Sequence, residues 1–229
     1  MILETEEYKK DKCGTERKTV KKRTVLLDGE VYCRCYEKDL SDVGLNSGEE
    51  AEKEKLERLS RDVLLPRAKH RALFLLNKRR YTRQEMVNKL KEDGYPVTVV
   101  DDVLFYLEEL HYVDDVSYAK GYASFLLLKC SEREAFQKMI QKGFEKETVS
   151  EALENARTEY YFENGSAEEE TEPPEHLAIR TYLRKKGYQP EEISPEKKRK
   201  MAMSLYRKGF SYSDINAVMG EWETDIPCD

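Results

Sequence analysis

The sequence lacks any hydrophobic stretch long enough to cross a membrane. Its longest apolar run, Ala123 to Leu128, is interrupted by Ser124 and followed by Lys129, whereas a spanning helix needs about 20 apolar residues. The opening Met1-Ile2-Leu3 is followed at once by Glu4, so the hydrophobic region of a secretory signal is absent. We therefore expect no membrane association and a cytoplasmic location.

Cysteines are few, odd in number and unevenly spaced. They are Cys13, Cys33, Cys35, Cys130 and Cys228. Such a set is typical of reduced thiols in the cytoplasm. Cys33 and Cys35 share one face of a predicted strand, but no second cysteine or histidine pair occurs at metal-ligand spacing. We expect a structural role or no role for this pair, and a metal bound there would instead indicate an enzyme.

Catalytic signatures are missing as well. The sequence has no P-loop, no dinucleotide-binding glycine pattern and no His-Glu-x-x-His. The three histidines, His70, His111 and His176, lie far apart. We expect no metal, no cofactor and no enzymatic activity.

What the sequence does contain is an internal repeat. An apolar residue stands four positions before a glycine, and an aromatic residue follows that glycine, in the stretches Leu90–Tyr95, Met139–Phe144 and Leu205–Phe210. A glycine at this place typically ends a helix in the left-handed conformation. Repetition on this scale predicts small units in series, which more often form a binding surface than an active site.

The predicted fold is mostly α: tandem three-helix repeats in an elongated, curved array, with a small N-terminal β-hairpin extension. The hairpin, at about 19–36, surrounds Asp28-Gly29, a strong turn signal; it must pack on another element or pair with a strand from residues 1–10. The predicted segments are an extension at 1–48, repeats at 49–112, 113–162 and 175–222, an acidic linker at 163–174 and a tail at 223–229.

Helix boundaries are predicted from local capping chemistry. The first helix of the first repeat spans about Leu65 to Asn77. Thr82 begins the second helix, with Glu85 completing a capping box, and Gly94 ends it. Corresponding N-caps are expected at Ser131, at Ser194 before Pro195, and at Ser211 or Ser213.

Charge is segregated along the chain, although the net charge is only −6. Residues 61–91 and 180–208 are strongly basic, whereas residues 145–175 are strongly acidic. The third helices carry acids that would repel phosphate, so we expect partner or DNA contacts on the first and second helices of repeats one and three. The candidate contact residues are Arg71, Lys78, Arg79, Arg80, Arg83, Lys89, Arg184, Lys185, Lys186, Lys198, Arg199, Arg207 and Lys208.

Two ordered motifs resemble the RecX family of RecA regulators. The first is Arg71-Ala72-Leu73-x-x-Leu76-x-x-Arg79-x-Tyr81-Thr82-x-x-Glu85, and the second is Leu110-x-x-Val113-Asp114-Asp115-x-x-Tyr118-Ala119. The later Gly143-Phe144 and Gly209-Phe210 elements fit the same family. The resemblance covers roughly residues 62–222 and implies tandem three-helix repeats.

The resemblance also implies a function. It predicts a non-enzymatic, monomeric modulator that binds RecA protein and the RecA–single-stranded-DNA filament, with weak DNA binding of its own. Such proteins hinder RecA's ATPase, strand exchange and co-protease activities in recombination and DNA repair. The alternative, suggested by the two basic clusters, is a direct DNA-binding multi-helix transcription regulator.

Overall fold

The computed structural model describes residues 1–7, 22–165, 171–191 and 193–220. The chain divides into two compact units, Met1–Asp114 and Asp115–Asp229, and each is described by itself. Residues 166–170 of the predicted linker and the whole predicted tail lie outside the described residues. Within the described ranges, no helix combines the length and the hydrophobicity that crossing a bilayer requires.

A three-stranded antiparallel sheet opens the first unit. Strand β1 (Leu3–Glu7) pairs with β2 (Lys22–Leu27), which pairs with β3 (Glu30–Tyr36). Asp28 and Gly29 form the β2–β3 turn with φ angles of +51° and +83°, the positive values that a two-residue hairpin turn of type I′ needs. The predicted hairpin is thus confirmed from Lys22 onward, and its third strand comes from the first ten residues.

The rest of the first unit is helical. Its helices are α1 (Glu37–Asp42), α2 (Lys53–Arg58), α3 (Leu65–Leu76), α4 (Arg83–Asp93) and α5 (Val97–Glu109). A π-helical segment, Leu59–Leu64, joins α2 to α3 without a break. The predicted α-helix start near Leu65 is therefore confirmed by α3, but the helical turns before it were not predicted. Pro66 lacks the N–H of an α-helix interior, and the wider π-helical turn before it accommodates the proline within one continuous helix.

The second unit contains two groups of three helices. They are α6 (Asp115–Leu127), α7 (Glu132–Gln141) and α8 (Lys146–Asn164), then α9 (Pro174–Lys185), α10 (Pro195–Arg207) and α11 (Tyr212–Met219). Each group has its own buried core: Met139 and Leu153 lie in the first, whereas Ile179, Leu205 and Ile215 lie in the second. Burial of these side chains removes apolar area from water and holds each group together.

The predicted N-caps are present. The Thr82 hydroxyl accepts a hydrogen bond from the Glu85 N–H, and the Glu85 carboxylate accepts one from the Thr82 N–H, each at 3.1 Å. The hydroxyls of Ser131, Ser194 and Ser211 likewise accept N–H bonds at the starts of α7, α10 and α11. Local sequence chemistry therefore determines where these helices begin.

The three repeated glycines end their helices in one shared geometry. Gly94, Gly143 and Gly209 have φ angles of +92°, +94° and +93°. The N–H after each glycine donates to a carbonyl five residues earlier, Tyr95 to Leu90 at 3.2 Å, Phe144 to Met139 at 3.3 Å and Phe210 to Leu205 at 3.3 Å. This is the Schellman motif, and it confirms the predicted helix-ending role.

Two of these glycines also pack closely against a distant segment of the chain. A Cβ atom on Gly94 would stand 2.6 Å from the Cβ of Arg34, whose N–H donates to the Gly94 carbonyl at 2.8 Å. A Cβ on Gly209 would stand 3.0 Å from Arg133 Cβ and from Ser131 Oγ. The glycine turns are therefore docking points within each unit as well as helix ends.

Candidate partner-binding surfaces

The basic residues of the first repeat are largely neutralised by neighbouring carboxylates. Ion pairs join Arg71 to Asp93 at 2.7 Å, Arg79 to Glu85 at 3.1 Å, Arg83 to Glu108 at 2.9 Å and Lys89 to Glu92 at 2.6 Å. The structure therefore does not present residues 71–89 as a bare positive face, although the sequence shows ten bases against two acids over residues 61–91.

Arg79 in particular contacts residues that hold the start of α4 in place. Its guanidinium lies 3.7 Å from the centre of the Tyr81 ring and contacts both oxygens of Glu85, the carboxylate of the capping box. The hydrogen bonds that Arg79 donates to the Glu85 carboxylate raise the pKa of Arg79. A substitution at Arg79 would therefore disturb the start of α4, so loss of binding in such a variant would not identify a contact residue.

Two further bases of this repeat, Lys78 and Arg80, lie on the surface. Lys78 places its ammonium 4.3 Å from the ring centre of Phe74, a side chain that is 47% exposed. Arg71 approaches the same ring at 5.9 Å. Arg80 is exposed next to them in the sequence. Cation–ring contacts of this kind leave the charge available to an external anion while covering apolar surface.

The third repeat presents its bases differently. Arg184, Lys185 and Lys186 are exposed at the end of α9, and in the part of the chain that the structure describes none of the three forms an ion pair. Cations at a helix C-terminus also meet the negative end of the helix dipole, which holds them there. This triplet is the most open basic feature among the predicted contact residues.

The remaining predicted contacts lie on or next to α10. Lys198 is half-buried and Arg199 is exposed. Arg207 donates to the Met203 carbonyl at 3.4 Å. Lys208 is engaged within the unit, because its ammonium pairs with Glu134 at 3.5 Å and its carbonyl accepts the Ser131 hydroxyl. Lys208 therefore joins the third repeat to the second.

An aromatic row on α6 was missed by the sequence analysis. It consists of Tyr118, Tyr122 and Phe125, which follow one another along one side of the helix. The rings of Tyr122 and Phe125 are nearly parallel, at 14° with centres 6.2 Å apart, and Tyr118 lies 6.0 Å from Tyr122. Lys129 stands 3.6 Å from the Phe125 ring centre, and Lys142 stands 5.4 Å from that of Tyr118. The i, i+4, i+7 spacing followed by a lysine was the available signal.

The Cys33-x-Cys35 pair packs inside the first unit. Both side chains are almost fully buried in a core that includes Leu3, Val25 and Leu64. A hydrogen bond between the two thiols, together with burial, raises the pKa of Cys33. Within the described ranges, no three His, Cys, Asp or Glu side chains gather closely enough to hold a metal ion.

Comparison with known proteins gives two matches to family models. Residues 68–107 match the model described as RecX, first three-helix domain, and residues 175–219 match RecX, third three-helix domain. The first range contains all of α4 and most of α3 and α5. The second contains α10, α11 and all of α9 except its first residue. The two domains occur in the order that the family models number them.

Curated relatives extend the match over most of the chain. The regulatory protein RecX of Caldanaerobacter subterraneus is 25% identical over 205 residues, which is 89% of this chain and 95% of that protein. The regulatory protein RecX of Staphylococcus carnosus is 31% identical over 154 residues, 66% of this chain and 52% of that protein. A solved structure described as a crystal structure of regulatory protein RecX aligns with a TM-score of 0.54 over 87% of this chain and 95% of that one, at 24% identity, and supports the fold.

The fold and the family matches define the chain as a regulatory-type protein of tandem three-helix domains. A small sheet precedes these domains in the sequence, and the curated relatives are named regulatory proteins. The chain belongs to the RecX family.

Proposed function

We propose that this protein binds the RecA–single-stranded-DNA filament and restrains RecA's ATPase, strand-exchange and co-protease activities. The observation that carries the proposal is the ordered pair of RecX three-helix domains at residues 68–107 and 175–219. The proposal includes the repeat boundaries 49–112, 113–162 and 175–222, a monomeric protein, and a location in the cytoplasm with RecA.

Separate small repeats suit a repeating partner. Each three-helix group has its own core, so each can present a different surface without disturbing the others. Several weak contacts made at once along a filament gain affinity through effective concentration. A regulator of this kind needs no reacting groups, since occupying the filament is sufficient to hinder its turnover.

The test is RecA's single-stranded-DNA-dependent ATPase with the protein titrated in. We expect inhibition that saturates near stoichiometric ratios. The double reversal R184E/K185E should weaken it, because it inverts charge at the open basic triplet of α9. The matched reversal K38E/K146E makes the same net change at exposed lysines on α1 and α8 and should leave inhibition intact. An ATPase rate unchanged by excess wild-type protein, at low and moderate salt, would refute the proposal.

A second candidate function is direct binding of single-stranded nucleic acid, and the aromatic row favours it. Aromatic rings interleaved with lysines bind single strands by stacking on bases while the ammonium groups meet phosphates. The row does not favour the duplex-reading transcription regulator, which needs a helix carrying base-contacting side chains in the major groove.

The two candidates are separable without RecA. Stacking is worth about 1–3 kcal/mol per base, so Phe125→Ala should weaken binding of a fluorescent oligothymidylate by roughly tenfold. The control is Tyr206→Ala, which removes an exposed tyrosine of α10. Equal binding by the wild type and the Phe125 variant would contradict a role for the aromatic row.

A further inference from the structure

Phe105 is an exposed apolar side chain on the outer face of α5. It is 67% exposed, while the opposite face of α5 buries Val100, Val103 and Leu107 in the core of the first unit. The core is therefore complete without Phe105. A large ring held mostly in water on a well-packed helix contributes little to folding, but it is a ready anchor for a partner.

The helix surrounds this ring with carboxylates. Asp101, Asp102, Glu108 and Glu109 occupy the positions three and four residues away on both sides, which are the neighbouring positions on a helix surface. Glu108 pairs with Arg83 at 2.9 Å. Asp101, Asp102 and Glu109 form no ion pair within the described part of the chain. Phe105 with these three free carboxylates is here called the acidic face.

The contrast with Phe74 indicates the sign of the charge that a partner surface should carry. Phe74, on α3 of the same unit, is covered by its own cations, Lys78 and Arg71. No cation lies over the Phe105 ring among the residues that the structure describes, so its neighbouring charges are unbalanced. Phosphates would be repelled from this face, whereas a protein surface bearing lysine or arginine would be attracted.

An open groove adjoins the acidic face. Its volume is about 930 Å³, and it runs between the β2–β3 hairpin, the π-helical segment and the start of α5. Val31, Leu56 and Val99 line it with apolar surface, and Glu30, Glu57 and Asp102 add carboxylates. The cations on its wall are each paired with a carboxylate: Lys53 with Glu57, Arg61 with Asp62 and the Met1 ammonium with Glu50. Asp102 belongs to both the groove and the acidic face, so the two form one surface.

We infer that the acidic face and this groove dock a protein surface in which lysines or arginines border an apolar pocket for Phe105. The inference rests on the proposed function, under which that surface belongs to a RecA protomer and not to the DNA of the filament. The apolar anchor supplies the affinity, and the carboxylates select a basic protein face over phosphate.

The experiment measures binding of the full-length protein to preformed RecA–oligonucleotide filaments by co-sedimentation, beside binding to the free oligonucleotide. Phe105→Ala and the double reversal D101K/D102K should each weaken filament binding roughly tenfold or more, as for central interface residues. Neither should weaken binding to the free oligonucleotide. Phe162→Ala removes the 88% exposed phenylalanine of α8 and should stay within about twofold of the wild type in both assays.

The outcomes separate the two hypotheses. Wild-type protein that fails to sediment with the filament refutes the proposed function. Wild-type binding that both variants retain overturns only the docking inference. A parallel loss of free-oligonucleotide binding in the variants also overturns it, because the face would then contact nucleic acid. All substituted positions are exposed, so thermal unfolding curves should match the wild type and exclude misfolding as the cause.

Discussion

Replacing Gly94 by alanine should loosen the N-terminal sheet from the first three-helix repeat. Gly94 ends α4 at φ +92°, and an added Cβ would meet Arg34 Cβ and Cγ at 2.6 Å and Cδ at 2.7 Å. Arg34 also donates its N–H to the Gly94 carbonyl and its guanidinium to the Glu92 carbonyl, at 2.8 and 2.9 Å. The strand and the helix end therefore cannot both keep their places.

Two separate penalties add in this variant. A left-handed conformation costs a residue with a Cβ roughly 1–2 kcal/mol, and forced overpacking costs typically about 1–3 kcal/mol. Gly94→Ala should therefore destabilise the first unit by roughly 2–5 kcal/mol. Gly48→Ala is the matched control, since Gly48 has φ +87° but open space around its Cβ position. It should cost only the conformational part, roughly 1–2 kcal/mol.

The assay is native-state hydrogen exchange by mass spectrometry, in which peptides from Met1–Asp114 report the stability of that unit alone. Peptides from β3 and the end of α4 should lose protection in Gly94→Ala much more than in Gly48→Ala. Equal losses in the two variants would refute the reasoning. Full recovery in the double variant with Arg34→Ala would also refute it, because alanine keeps the Cβ that stands 2.6 Å away.

Further predictions concern single groups. His111 occupies a helix-ending position with φ +54°, so His111→Gly should raise the free energy of unfolding by about 0.5–1 kcal/mol in urea titrations. The pKa of the Cys33 thiol is raised by its hydrogen bond with Cys35 and by burial, and burial raises the pKa of Cys130. Both thiols should therefore be alkylated slowly until the protein unfolds, as measured by peptide mass spectrometry. Labelling of the folded protein as fast as in urea would contradict this prediction. Burial raises the pKa of Glu134, but Lys138 and Lys208 outweigh it and lower the pKa overall. The stability difference between wild type and Glu134→Gln should therefore be present at neutral pH and fade as pH falls below about 4; a constant difference would contradict it.

The helix ends could be predicted from sequence because their causes are local. The capping box of Thr82 and Glu85 and the left-handed glycines each involve residues only a few positions apart. The continuous helix through Pro66 could not be predicted, because it depends on a π-helical turn that no local pattern indicates. The approach of Arg34 to Gly94 also escaped, since it joins residues 60 positions apart in the sequence.

The candidate surfaces were predictable only in part for the same reason. Counting charges located the basic stretches, but whether a base is available depends on where carboxylates from other helices lie. Glu108 of α5 pairs with Arg83 of α4, and Asp93 of α4 pairs with Arg71 of α3. In the sequence the acids of α5 indicated only a barrier to phosphate, so Phe105 among them was overlooked.

These pairings change which part of each repeat is available to a partner. Ion pairs within the first repeat leave its apolar anchors as its distinctive surface, whereas the third repeat keeps Arg184, Lys185 and Lys186 open to anions. A filament of protein wound on DNA offers both kinds of target. Charge contacts weaken with added salt, because exposed charges are screened within about 10 Å at 0.1 M, and burial of a phenylalanine does not. Under the proposed function, rising salt should therefore remove the contribution of the α9 triplet first. R184E/K185E should then match the wild type at high salt while Phe105→Ala remains impaired.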